Sequence, residues 1–470
     1  MRANQITVDP FEFIDVLRCD IHKPVNDHAT AHISGHISSG MEDQYVTMSL
    51  NGVQAAIHAC DDSSGEDKVI FYGIVQNVSI NSENDGKTLE VDLISSTYLM
   101  DNCPHSRTFQ DASMTYDNML NQIANTYDDS VILAEGSGET LQSLIVQYRE
   151  TDWEFVKRMA SHFNTVVIPA YLFAGVKYYF GVPQRGSAEF SQSNAYSMRK
   201  SVGEYLDKTK NDVSGLAEMD AIYYQVEARE IYDLAQSVSF LGQNLYIFDI
   251  QSSWKGGELV HQYALKARDG FKTQKQYNAQ LTGASLSSQI IDVKQDQVKV
   301  HVGVDKTQDK GTASWFPYST AYSSSDGTGW YCMPEDGDAV RLYFPSEKEA
   351  EGYIISATHL PSSDSQQRSN PDNKSLMSKY GKQVLFTPNS LTVTNNAGMT
   401  IKMLDDEGIS IESDKKITFT SDDSLALTSA NANLQVVAPQ NIVMEQNDTR
   451  VILQDNVVLS GAQVSVQKQS

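Results

Sequence analysis

Four histidines, His22, His28, His32 and His36, fall within one short stretch. Imidazole is suited both to metal ligation and to proton transfer near neutral pH. His32 and His36 lie in a run of strand composition and share one of its faces. No carboxylate or thiolate at zinc-ligand spacing completes the set, so they read as exposed or singly hydrogen-bonded side chains. Glu150, Asp152 and Glu154 are the second group that could do chemistry, as general acid and base. They stand where a helix begins, and the macrodipole gives acids a structural reason to be there. The four cysteines, Cys19, Cys60, Cys103 and Cys332, are far apart and form no C-x-x-C pair, a pattern that fits a reducing compartment. No G-x-x-x-x-G-K-[ST], G-x-S-x-G, H-E-x-x-H or EF-hand loop occurs. The expectation is a protein with no catalytic residues, no cofactor and no metal.

The acids belong to a segment with its own logic. Thr151 and Glu154 make a capping box, hydroxyl and carboxylate each satisfying an orphan amide at a helix start. Phe155, Val156, Met159 and Phe163 follow as the buried stripe, with Lys157 and Arg158 facing solvent. A shorter amphipathic helix is predicted over Thr115 to Tyr127, its Met119, Leu120 and Ile123 being core. Residues 1 to 110 are β-rich: Ile33 to Ile37, Tyr45 to Met48, Val69 to Val78 and Leu89 to Ile94 have strand composition. Asn84-Asp85-Gly86-Lys87 is a hairpin signal, because Asp-Gly tolerates positive φ. Thr165 to Val182 is the most membrane-like window, but Pro169, Gly175 and Lys177 make it a β-hairpin rather than a span.

A chain of 470 residues has room for about three domains. Its formal charge is −24, and most of that lies in the first 370 residues. Such a surface disfavours nucleic acid and anionic membranes and suits a component of a soluble particle. Met1 to Asp15 lacks the basic start and apolar run of a signal peptide, so if the protein leaves the cell, something other than the general secretion route must carry it.

The C-terminal region carries a ladder. Ile409 and Ile411, Ile417 and Phe419, Leu425 and Leu427 follow at steps of eight residues. After one slip come Leu434 and Val436, Ile442 and Met444, Val451 and Leu453, Val457 and Leu459, Val464 and Val466. Each pair puts two apolar side chains on one face of a short strand, with turn residues between pairs. A unit this short cannot bury its own apolar face. A single-chain β-solenoid needs coils of around 20 residues, so an intertwined homotrimer is favoured. Its apolar pairs would fill a narrow interior, in a rod on the order of 40 Å long. Upstream, Gln289 to Val293 and Gln297 to Val302 alternate as strands of a further domain. Pro334 to Asp338 is a tight acidic turn in which Gly337 supplies backbone freedom. Residues 361 to 375 have linker composition.

Gln147-Tyr148-Arg149-Glu150-Thr151-Asp152-Trp153-Glu154-Phe155-Val156-Lys157-Arg158-Met159-Ala160 resembles the signature helix start of the VgrG family. That family joins the hub and central spike of contractile injection machines in one chain, as phage late-control tail proteins do. Tyr223 to Ala228, Leu241 to Ile247 and Gly257 to Tyr263 look like strands of its second hub barrel. Gly329-Trp330-Tyr331-Cys332-Met333-Pro334-Glu335-Asp336-Gly337-Asp338 is similar to the oligonucleotide-binding-type (OB-type) barrel that begins the spike. That barrel lacks interleaved aromatics and lysines, and its Trp and Phe read as packing residues, so nucleic acid is disfavoured.

The resemblance implies a mainly β fold: two hub β-barrel domains with short helices, an OB-type small barrel and a C-terminal intertwined trimeric β-helix. The expected division is 1–110 first hub barrel, 111–200 helix-containing insert, 201–285 second hub barrel, 286–360 spike base, 361–381 linker and 382–470 spike. It also implies a homotrimer that adapts a hexameric tube to a needle, with baseplate proteins as neighbours and a target membrane met only on firing. No histidine follows His359, so the H-x-H metal tip of some phage spikes is missing, which predicts a separate PAAR-like tip-capping protein. Nor does the sequence hold the lysozyme-like or toxin extension some relatives carry. The protein is expected to be made in the cytoplasm and assembled into a contractile particle. Two other classes compete. A trimeric phage or surface β-rod adhesin explains neither the capped helix at 151 nor the Gly329–Asp338 segment. A wall-acting hydrolase on a β-scaffold would use Glu150 or Asp152 as its acid.

Overall fold

The computed structural model describes residues 3–49, 52–61, 65–83, 86–134, 138–191, 194–357, 359, 368–453 and 463. They divide into two units, Met1–Leu360 and Pro361–Ser470. The fold is mainly β.

In the first unit, alternating apolar and polar residues build one 12-stranded sheet. Its N-terminal strands are β1 (Gln5–Asp9), β2 (Asp15–Lys23), β3 (Thr30–His36), β4 (Gln54–Asp61), β5 (Glu66–Glu83) and β6 (Gly86–Ile94). Five strands then lie outside it: β7 (His105–Phe109), β8 (Val131–Ala134), β9 (Ile145–Glu150), β10 (Val167–Pro169) and β11 (Lys177–Phe180). The chain returns through β12 (Ser187–Ala188), β13 (Tyr196–Lys200), β14 (Ile222–Ala228), β15 (Ser237–Phe240), β16 (Gln243–Lys255) and β17 (Glu258–Lys266). The order is β1-β4-β5-β6-β3-β2-β16-β17-β14-β13, with β15 on β16 and β12 on β15.

This order contains a repeat. The run β5-β6-β3-β2 and the run β16-β17-β14-β13 have the same connectivity, and their hairpins match residue for residue. In β5–β6 the pairs extend from Ile74↔Ile94 to Glu83↔Gly86, with an irregularity between Val75 and Asn77. In β16–β17 they extend from Tyr246↔Lys266 to Lys255↔Glu258, with the irregularity between Ile247 and Asp249. Asn84 and Asp85, the expected hairpin turn, lie outside the described residues. The two runs join where β2 pairs antiparallel with β16, and one apolar core, including Ile33, Leu89, Val91, Ile247, Ile250 and Tyr263, extends across both.

Tyr45 to Met48, expected as a strand, belongs instead to helix α1 (Glu42–Ser49). Tyr45 is buried against the Phe11 ring, 5.4 Å between centroids, and its hydroxyl accepts from the Glu12 amide at 3.0 Å. Met41 and Met48 pack beside it at helical spacing, so tertiary contacts override the β propensity of Tyr, Val and Thr.

The strands outside the sheet carry α2 (Tyr116–Ala124) and α3 (Asp152–His162). Strands β10 and β11 are antiparallel neighbours, with β8 parallel to β11. Trp153, Phe155, Val156 and Met159 of α3 share a core with Met119, Leu120 and Ile123 of α2. Strand β9 pairs with β7 and alternates between two cores. Ile145 joins the helices, while Leu144 and Val146 join the small barrel that follows.

That barrel comprises β18 (Ser285–Lys294), β19 (Gln297–Val302), β20 (Trp315–Pro317), β21 (Ala339–Tyr343) and β22 (Tyr353–Ile355). Its order is β20-β19-β18-β21-β22, and a bridge between Tyr318 and Ile354 draws the two ends together. The result is a near-closed OB-like barrel filled by Leu286, Ile290, Val298, Val300, Phe316, Leu342 and Ile354. Phe316 packs inside it, whereas Trp315 and Trp330, expected to be packing residues, are exposed.

The second unit is an antiparallel meander of β23 (Lys374–Met377), β24 (Gln383–Thr387), β25 (Ser390–Thr394), β26 (Met399–Leu404) and β27 (Gly408–Ser413). A separate hairpin pairs β28 (Ile442–Gln446) with β29 (Thr449–Leu453).

Candidate functional site

The meander sorts its side chains by polarity. Strand pairing places Leu376, Val384, Val393, Ile401 and Ile411 in one row across all five strands. Phe386, Leu391, Met403 and Ile409 form a second row two residues along, on the same face. The opposite face carries Leu385, Thr392, Lys402 and Ser410, with Gln383, Thr394, Thr400 and Glu412 beside them. Nine apolar side chains thus line one side of a thin sheet, and nothing among the described residues covers that face. Ile409 is 70% exposed, and Leu376, Phe386, Ile401, Met403 and Ile411 are exposed as well. The shallow groove along this face, bounded by Leu376, Val384, Val393, Ile401 and Ile411, has a volume of about 530 Å³.

Beyond β27 the ladder changes character. Ile417, Phe419, Leu425, Leu427, Leu434 and Val436 lie between 414 and 441, where the described residues form no strand. Their side chains stand in solvent, Phe419 at 68% and Leu427 at 71% exposure. Extended backbone without a neighbour leaves its N–H and C=O groups to water. Ile442 and Met444 are opposite Leu453 and Val451 in the last hairpin. Val457, Leu459, Val464 and Val466 lie outside the described residues.

Four of the residues expected at the spike base, Pro334, Glu335, Gly337 and Asp338, lie in one turn of the small barrel. The Asp338 amide donates to the Glu335 carbonyl at 3.1 Å, and the Glu335 amide to the Asp338 carboxylate at 2.8 Å. Gly337 sits between them at φ +91°, a conformation that favours glycine. Its amide reaches the Ile290 carbonyl at 2.9 Å, so the turn after Pro334 is stitched to β18. Trp330 hangs on the preceding loop, its amide bonded to the Tyr322 carbonyl.

The helix-cap residues hold α3 in place. The Thr151 hydroxyl accepts from the Glu154 amide at 3.1 Å, and the Glu154 carboxylate accepts from the Thr151 amide at 2.9 Å. The same hydroxyl donates to Asp101, whose other oxygen takes a bond from buried His28 at 2.8 Å. Arg158, expected to face solvent, is 2% exposed. It grips Glu150 through two bonds of 2.8 Å, Glu349 of the small barrel at 2.8 Å and the Val146 carbonyl at 2.6 Å. Burial opposes its charge, but the two carboxylates more than offset that and hold its pKa above the usual value. Lys157 is partly exposed.

Glu150 and Asp152, the acids a wall hydrolase would need, are both buried and engaged. Glu150 is bound by Arg158, and Asp152 by Arg107, by Gln147 at 2.9 Å and by the Tyr127 hydroxyl at 2.8 Å. The histidines do not converge. His22 pairs with Asp249, His28 with Asp101, His32 with Asp92 and His36 with Asp15. Among the described residues no group of three His, Cys, Asp or Glu could hold a metal ion. All four cysteines are free thiols, and burial pushes Cys19 up to about 12. Lys299 of the barrel is turned inward over the Trp315 ring and donates to the Lys310 carbonyl.

Residues 289–359 match the Type VI secretion system/phage-baseplate injector OB domain. The chain has a VgrG-like fold. It is similar to the E. coli c3393 protein, a component of the type VI secretion system described as resembling T4 bacteriophage tail proteins gp27 and gp5. That match has 12% identity and a TM-score of 0.53, and covers 76% of this chain and 100% of that one. It is similar also to the Francisella PdpA–VgrG complex. The half-lidded form gives 10% identity and a TM-score of 0.56, covering 84% of this chain and 83% of that one. The lidless form gives 10% identity and a TM-score of 0.54, covering 84% and 93%. No curated protein matches the sequence significantly. At such identities the structural matches establish the VgrG-type fold and leave residue roles to the geometry.

Proposed function

We propose that this VgrG-like protein is the hub and central spike of a contractile injection machine, assembled as a homotrimer. The apolar face left open on the meander, continued between 414 and 441 by a ladder with no strand partner among the described residues, carries this reading. Three copies winding about one axis would bury both rows and supply the missing backbone partners. Burial is worth roughly 1.5–3 kcal/mol for each large apolar side chain. In that assembly residues 382–470 form an intertwined β-helix, 361–381 a linker and 286–360 the base of the spike. The regions 1–110 and 201–285 act as two hub barrels flanking the insert at 111–200.

Two similar runs per chain give six per trimer, which suits docking on a hexameric tube, with baseplate proteins around it. A separate PAAR-like protein closes the tip, and the needle meets a membrane only on firing. The particle is assembled in the cytoplasm. Its work is mechanical: contraction of a sheath drives tube and needle together, and stiffness comes from interchain hydrogen bonds around a dry interior.

Replacing Ile417 with Asp tests the spike interior. Three carboxylates brought together on the axis are unpaired buried charge, so the variant is expected to lose the trimer and its heat resistance. Retention of both would refute the placement of that face.

A further inference from the structure

The connection from β20 to β21 contains a small hairpin whose shape is fixed by its own bonds. Ser323 and Gly329 are antiparallel partners. On either side of them the Trp330 amide donates to the Tyr322 carbonyl at 2.8 Å and the Ser324 amide to the Thr328 carbonyl at 2.9 Å. At the tip, the Asp326 carboxylate accepts from the Thr328 amide at 2.9 Å and from its hydroxyl at 2.7 Å. Gly329 has φ +149°, and a Cβ there would stand 2.5 Å from the Tyr322 carbonyl oxygen, so the strands come this close only with glycine. The base is tied down by the Thr320 hydroxyl on the Trp330 carbonyl and the Tyr331 hydroxyl on the Gln295 carbonyl.

Opposed residues of such a ribbon project from the same face. Tyr322 therefore stands beside Trp330 and Ser324 beside Thr328, with Asp326 at the tip. Both rings are open to solvent, Tyr322 at 58% and Trp330 at 49% exposure. Elsewhere the chain uses tryptophan for packing: Trp153 is fully buried and Trp254 lies against the main core. A rigid scaffold that holds two aromatic rings in water, next to two hydroxyls and a carboxylate, is built for contact with something amphipathic.

What the hairpin lacks decides what that is. From Tyr318 to Met333 the only charged residue is Asp326, and Glu335, Asp336 and Asp338 follow closely. Bases stack on aromatic rings, but a phosphate backbone needs cations, and this stretch has none. A protein partner needs more room. The ribbon is two strands wide, about 5 Å apart, and three residue pairs long, about 10 Å. Such a face offers far less than the roughly 800 Å² per partner of a stable protein contact. It matches instead the footprint of one or two sugar rings, which have a C–H face for an aromatic ring and hydroxyls at the rim.

We propose that Tyr322 and Trp330 form a platform for an uncharged polysaccharide. The two rings take the C–H faces of successive sugars, while Ser324, Thr328 and Asp326 bond their hydroxyls. The platform is complete within one chain, so it stands or falls independently of the trimer.

An array carrying neutral and acidic bacterial envelope polysaccharides side by side, probed with the full-length protein, tests this. Retention is expected on at least one neutral polymer and should persist at high salt, which screens ionic contacts. Tyr322→Ala and Trp330→Ala should each weaken it roughly tenfold. Tyr322→Phe and Trp330→Phe keep a ring and should stay within about threefold of the parent, which separates loss of the platform from loss of the fold. Retention on no neutral polymer, retention confined to acidic polymers and abolished by salt, or equal retention by the alanine variants overturns the platform. So does a fraction of fluorescence quenched by acrylamide that fails to fall in Trp330→Phe, since the face is then covered in the free protein.

Discussion

At the residue scale, His261 shows what burial does to a titrating group. It is 3% exposed, its Nδ1 meets the Ser252 hydroxyl at 2.7 Å, and its Nε2 has no partner. Burial, helped by Lys23 and Lys68, pulls its pKa from 6.5 to about 3. The imidazole is therefore neutral in the folded protein, while the unfolded chain takes up a proton as pH falls below about 6.5. Stability contributed by this site is full above that pH and is lost progressively from there down to about 3. The expected slope is about 1.4 kcal/mol per pH unit. Urea unfolding of His261→Phe beside the parent should show a shallower acid limb in the variant. Parallel limbs would mean that His261 is not held neutral. The Thr151–Glu154 box was legible in sequence because both partners lie within one turn. Arg158 was not, since Glu349 is 191 residues away and nothing local distinguishes a buried arginine from a solvated one.

At the element scale, α3 is fastened at both ends. Its start is capped by Thr151 and tied through Asp101 to His28, and Arg158 on its inward face reaches the small barrel. In the proposed assembly, thrust would pass from barrel to hub through this helix and through Leu144 and Val146 at the start of β9. Arg158→Met leaves Glu150 and Glu349 buried without a counter-charge and is expected to cost about 3–5 kcal/mol. Changing all three to apolar residues of similar volume should restore most of that loss. Denaturant unfolding of the single and triple variants decides it, and a single variant as stable as the parent would contradict the role given to this contact. Periodicity found α3, α2 and the strand alternation because each has one buried face. It missed α1, where Met41, Tyr45 and Met48 carry a helical stripe inside a segment of strand-forming residues.

At the scale of the whole molecule, the sequence displays a surface in want of a partner without displaying the partner. The ladder from Ile409 onward could be read because alternation is local. The internal repeat could not: equivalent positions share only their place in the register, as Val91 and Tyr263 or Ile80 and Ser252 do. In the proposed trimer, the apolar face that the meander leaves open is met by copies of the same chain. Measuring the mass of the purified full-length chain by light scattering across a dilution series tests this most directly. A particle of three times the 52.1 kDa chain mass, persisting on dilution, is the predicted result. A well-folded particle of one chain mass at every concentration would contradict it.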